Sequence, residues 1–149
     1  MSVAAPGKVV AYITQDNRLL VFRHPLHPEA GIQVPAGTIK AGESPHDAVL
    51  REAQEETGLG QLELRAFLGM EEHDLAVFGV PKVQQRHFYH LEYRGDAPPT
   101  WQHYETDPSE GEEEQTLFEF FWAVLPDGVP ELHAGQDALL PALLARLAA

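Results

Sequence analysis

Cysteine is absent from this 149-residue chain, which excludes disulfides, thiol nucleophiles and zinc sites built on thiolate. Long apolar runs are missing too, since none approaches the ~20 residues that a membrane span needs. The amino-terminal MSVAAPGKVV has no charged start followed by an apolar core, so no signal peptide is expected and cytoplasmic residence is the default. Basic residues are few: 10 Lys and Arg face 23 Asp and Glu, for a net charge of −13. A nucleic-acid polymer needs a basic stripe, so neither such a polymer nor a membrane is expected as a partner. A small anionic substrate stays compatible with the balance, because much of the acid lies in two short stretches and bound cations reverse the local sign. With 44% hydrophobic residues, the chain has the composition of one globular domain, residues 1–149.

What is present is concentrated in GTIKAGESPHDAVLREAQEETGL, residues 37–59. Ser44 is a good N-cap, Pro45 suits the first helical position and Asp47 complements the positive end of the helix dipole. Gly58 offers the left-handed conformation that ends helices. The spacing therefore predicts a helix over about Pro45–Thr57, with Ala48, Val49 and Ala53 packing one side. Glu52, Glu55 and Glu56 then stand at i, i+3 and i+4 on a common face, where like charges destabilise an isolated helix by roughly 0.2–0.5 kcal/mol per pair. A run such as REAQEE alone reads most simply as a solvated acidic face. The complete spacing does not: eight fixed positions match by chance on the order of once in 10⁹ start sites. Three carboxylates on one face suit a hard divalent cation, and Arg51 can pair with Glu55 at i+4.

Residues 37–59 match, without gap or substitution, the signature of the Nudix hydrolases, GX5EX7REUXEEXGU, where U is aliphatic. Ala53 and Leu59 fill the two U positions, and the preceding QVPAG resembles the strand and turn that lead into the family's site. The resemblance implies an α/β fold, a Nudix-type α/β/α sandwich with a mixed sheet between helices and a loop–helix–loop metal site. It also implies Mg²⁺, with Mn²⁺ as a possible substitute. By resemblance Glu55 and Glu56 are metal ligands, and Glu52 is either a ligand or the base that activates water. Arg51 orients the glutamates, Glu43 supports the metal shell, and the carbonyl of Ala36 or Gly37 completes it. Family members add an acid from a later loop, for which Glu112, Glu113, Glu114 and Glu119 are the candidates. The implied reaction is hydrolysis of a phosphoanhydride bond in a nucleoside diphosphate linked to another group. Two other classes share the fold. A non-catalytic nucleotide sensor usually carries a damaged box or an attached DNA-binding segment. Isopentenyl diphosphate isomerase uses a cysteine that this chain lacks.

Outside the box, β-rich runs at Lys8–Thr14 and Leu19–Arg23 flank a turn at Gln15-Asp16-Asn17 and predict a hairpin. Strands are expected over Leu62–Leu68, Arg86–Tyr93 and Leu117–Leu125, and an amphipathic helix over Gln136–Leu147. Residues 74–83 read ambiguously. Residues 95–115 are expected to form a long polar loop, and loops of that length are usually functional. Within it Trp101, His103 and Tyr104 are candidates for stacking on a base or sugar. Arg23, His24 and Arg86 are candidate phosphate contacts at strand ends. A small phosphorylated metabolite or nucleotide is the expected partner, and a homodimer is a further possibility that the family suggests.

Overall fold

The computed structural model describes residues 7–74, 76, 79, 83–105 and 116–149. Among them run β1 (Lys8–Gln15), β2 (Arg18–Arg23), β3 (Ala36–Thr38), α1 (Pro45–Thr57), β4 (Leu62–Asp74), β5 (Val83–Tyr93), β6 (Thr100–Tyr104), β7 (Leu117–Val124) and α2 (Leu140–Ala148). The strands form one sheet in the order β4-β5-β1-β2-β7-β6, with β3 added beside β1. The β1–β5 pair is parallel and the other pairings are antiparallel, so the sheet is mixed.

Local chemistry explains the elements. Asp16 and Asn17 both adopt positive φ (50° and 61°), the geometry of a two-residue hairpin turn that matches strand twist. Ser44 Oγ accepts from the Asp47 amide at 3.1 Å, Pro45 opens α1, and Gly58 closes it at φ 74° in the left-handed region. Alternation along β1 divides the core in two. Val9, Ala11 and Ile13 face α1 together with Ala48, Val49, Ala53, Phe118 and Phe120. Val10 and Tyr12 face the other side, with Phe88, Ala123 and Leu143 of α2. One helix thus covers each face of the sheet.

Three elements differ from expectation. β4 extends to Asp74, well past Leu68, because it pairs with β5 along its length through register shifts near Ala66 and Gly69. The expected loop after Gly95 contains β6, which pairs with β7 from Thr100 to Tyr104; its short polar alternation hides the strand. The last helix begins at Leu140, after turns over 133–139. Gln136 is held there instead, its side-chain carbonyl accepting from the Val34 amide and its backbone carbonyl from the Tyr12 hydroxyl. No helix among the described residues is long and apolar enough to cross a membrane.

Candidate active site

α1 lies along the sheet with its acidic face turned toward β3. Glu52 and Glu56 are each only 5% exposed, although carboxylates are seldom buried without a partner. The Ala36 amide donates to Glu56 at 3.2 Å. Gly37 lies against Glu52: a Cβ added there would meet the Glu52 carboxyl carbon at 2.0 Å. The glycine is therefore required by the carboxylate's approach, since its φ lies outside the left-handed region.

Arg51 organises the opposite side. Its guanidinium donates to both oxygens of Glu43 at 2.7 and 2.8 Å, to Glu52 at 2.8 Å, to Glu55 at 3.1 Å and to the Thr38 carbonyl at 3.0 Å. This fork geometry is what guanidinium supplies and ammonium does not. The bidentate contact holds the Glu43 carboxyl down at about 2. Burial pushes Glu52 up despite Arg51. Glu56 is raised further, first by burial and then by the negative charges of Glu52 and Glu105. Two desolvated carboxylates side by side create an excess of negative potential that a cation relieves.

The last of those charges was missed by sequence reading. Glu105 directly follows β6, and its amide donates to the Thr116 carbonyl, so the pairing of β6 with β7 carries it to where its charge acts on Glu56. Its signal in the sequence is the acidic run that it opens, in which nothing local distinguishes it from the later members. Glu112, Glu113 and Glu114 lie outside the described residues. Glu119 is placed elsewhere: it pairs with Arg23 at 3.2 Å, on the sheet face opposite α1, because Phe118 and Phe120 take the inward positions.

The candidate substrate contacts separate in the same way. Arg23 is committed to Glu119 and lies over the Phe121 ring. His24 packs edge-on to Phe22 and Phe118 and contacts the Gln33 amide at 3.2 Å. His103 Nε2 donates to the Glu55 carbonyl at 3.0 Å, and Trp101 Nε1 donates to the Thr57 carbonyl at 3.0 Å while its ring stacks on Phe120. These two cap the last turn of α1 from β6. Tyr104 is half exposed on that edge strand. Arg86 alone lines a cavity of about 430 Å³ beside Gly37, with Lys8, Gln33, Gln84 and Gln136. Its guanidinium is anchored by Glu71 and by the carbonyls of Ala134 and Gly135.

The residues present fit a divalent cation by their chemistry: hard oxygen donors, two of them buried and mutually repelling, against a glycine that leaves them room. As the side chains stand, Arg51 takes the acceptors of Glu43, Glu52 and Glu55, and among the described residues no group of three His, Asp or Glu is poised around one ion position.

A model described as the NUDIX domain matches residues 5–142. The chain belongs to the Nudix family. Its members hydrolyse pyrophosphate bonds, and the mixed sheet between two helices is the Nudix architecture. Over 59 residues, 40% of this chain, it is 36% identical to the NAD-capped RNA hydrolase NudC of Vibrio parahaemolyticus serotype O3:K6. That match spans 23% of the relative's length. Among solved structures, the MutT NUDIX hydrolase from Burkholderia pseudomallei is similar with a TM-score of 0.61 and 24% identity, over 93% of this chain and 95% of that one. An ADP-ribose pyrophosphatase from Streptococcus suis is similar with a TM-score of 0.62 and 20% identity, over 97% of this chain and 92% of that one. At those identities the structural likeness establishes the fold alone.

Proposed function

We propose that this Nudix protein is a divalent-metal-dependent pyrophosphohydrolase that cleaves a nucleoside diphosphate derivative by attack of water on phosphorus. The reading is carried by two buried carboxylates, Glu52 against Gly37 and Glu56 on the Ala36 amide, behind two residues that line a cavity. Glu52, Glu55 and Glu56 would hold Mg²⁺, or Mn²⁺ in its place, with the carbonyl of Ala36 or Gly37 and with Glu105 as the acid from outside the box. When bound, such a cation neutralises phosphate charge and makes a water molecule more acidic. Glu52, kept in reach by Arg51, then serves either as a ligand or as the acceptor of the water proton. Arg51 trades part of its present contacts for that arrangement while its fork on Glu43 keeps the loop and helix in register. Products are a nucleoside monophosphate and a phosphorylated remainder, with no covalent enzyme intermediate.

The test is Mg²⁺-dependent release of phosphorylated products from nucleoside triphosphates, dinucleoside polyphosphates, ADP-ribose, nucleotide sugars and nucleotide coenzymes. One class should turn over and stop on chelation. Glu56→Gln should fold and lose ~10²-fold or more of that turnover, the scale on which a catalytic site residue acts. Near wild-type activity in Glu56→Gln would remove the metal assignment.

A further inference from the structure

The cavity beside Gly37 lies on the α2 face of the sheet, where it is built from adjacent strands. Lys8 of β1 is the register partner of Arg86 on β5, and Gln84 of β5 is the register partner of His73 on β4. All four side chains line the cavity, and His133 of the turn before α2 closes it from above. Three neighbouring strands thus contribute an ammonium, a guanidinium, an amide and an imidazole to one wall. In a chain of net charge −13, this is a local concentration of donors and positive charge.

The two cations are in different circumstances. Arg86 is buried and bonded to Glu71 and to two carbonyls, so it shapes the wall and has little charge left to offer. Lys8 is partly exposed, and no salt bridge holds its ammonium among the described residues. Lys8 is the register partner of Thr38 on β3, next to Gly37, and Gly37 both lines the cavity and lies against the Glu52 carboxylate on its other side. A compact ammonium on a flexible stem at that place suits a phosphate as a point charge. The amide and imidazoles beyond it suit hydroxyl groups. About 430 Å³ falls within the range of small-molecule sites, roughly 300–1,000 Å³.

We propose that this cavity binds the non-nucleoside side of the substrate, a sugar phosphate, and that Lys8 is the residue that contacts its phosphate. The proposal rests on the pyrophosphohydrolase reading for the direction in which the substrate lies, but its binding test does not. The metal-free protein is titrated calorimetrically with ribose 5-phosphate and, separately, with ribose. Ribose 5-phosphate should bind and ribose should bind far more weakly. Lys8→Gln should weaken ribose 5-phosphate about tenfold or more, as loss of a charge-assisted contact does. Lys8→Arg should keep most of the affinity. Arg94→Gln, which removes the same charge at an exposed site just past the far end of β5, should change nothing. In turnover, Lys8→Gln should raise KM more than it lowers kcat.

Failure of ribose 5-phosphate to bind the wild-type protein would overturn the proposal. So would equal affinity of wild type and Lys8→Gln with both proteins folded. The two readings fail separately. Binding through Lys8 without hydrolysis across the nucleotide panel upholds the cavity and sinks the hydrolase. Hydrolysis with an unaltered KM in Lys8→Gln does the reverse.

Discussion

Gly37→Ala is the sharpest perturbation that the site offers. The new methyl would sit 2.0 Å from the Glu52 carboxyl carbon and 2.2 and 2.4 Å from its oxygens. The backbone at Gly37 tolerates alanine, so the conflict falls on the Glu52 side chain, which must swing out. It then loses the bond from Arg51, worth about 1.5–3 kcal/mol as a charged hydrogen bond. Against that loss, Glu56 is freed of a buried like charge. The two effects oppose each other, and the metal-free variant should melt within a few degrees of wild type. The response to metal should differ much more. At a metal concentration a hundredfold above Kd, wild type gains ~2.7 kcal/mol, or roughly 5–11 °C in Tm for a domain of this size. Gly37→Ala should lose most of that gain and ~10²-fold or more of turnover. Thermal melts with and without Mg²⁺, read beside the activity, make the comparison. Gly42→Ala is the control: its φ of +78° strains alanine, but nothing lies within 4 Å of the new methyl. It should cost ~1–2 kcal/mol in both melts and leave the metal response intact. A Gly37→Ala protein with the full metal shift would refute the reasoning, because Glu52 would then be dispensable to the ion.

Buried His90 makes a separate prediction for acid. Arg146 Nε donates to its Nδ1 at 3.1 Å, so Nε2 carries the proton and donates to Thr14 Oγ1 at 2.7 Å. Burial, with help from Arg146, lowers its pKa from 6.5 to about 4. The unfolded chain therefore binds the proton first, and stability drains as pH falls from about 6.5 toward 4, by up to ~3 kcal/mol. His90→Asn should flatten that slope in denaturant titrations run across the interval, and an unchanged slope would count against the assignment. His103→Ala should remove the bond to the Glu55 carbonyl and lower Tm by roughly 2–4 °C per kcal/mol lost, about 1 kcal/mol here. Arg51→Lys should keep the charge but not the fork on Glu43, and a fall in turnover with less than a few degrees of Tm loss would show that it orients rather than merely neutralises.

Much of this was legible before any coordinate. Ser44, Pro45 and Gly58 bound α1 because caps are local chemistry, and the hairpin at Asp16-Asn17 is legible for the same reason. The cluster on α1 follows from spacing alone. What the sequence concealed depends on distant partners. β6 is a strand because β7 pairs with it, not because TWQHY alternates strongly. Trp101 and His103 resemble ligand-stacking residues in isolation, yet the fold uses them as helix caps. Lys8 opens an apolar strand and looks like an edge charge. Only the parallel pairing with Arg86 shows that it faces a cavity. Glu105 was hidden among equivalent acids, and the β6–β7 register singles it out.

The helix that carries the site could not hold its geometry alone. Glu52, Glu55 and Glu56 repel one another along one face, each exposed pair costing roughly 0.2–0.5 kcal/mol and buried pairs more. Most of the compensation comes from outside that face, positioned away from the carboxylates. Ser44 secures the first turn for about 1 kcal/mol. Trp101 and His103 take up carbonyls of the last turn, and Ala48, Val49 and Ala53 bury the sheet-facing side completely. Arg51 meets the carboxylates directly, through a guanidinium whose fork on Glu43 is independent of its bonds to Glu52 and Glu55. The repulsion is therefore held in a rigid frame, with Arg51 as its directly bonded counter-charge. On the proposed reading, that arrangement favours a cation beside Glu52 and Glu56 over collapse of the helix, and it makes the metal response, more than the melting point, the property that mutations on this face should change.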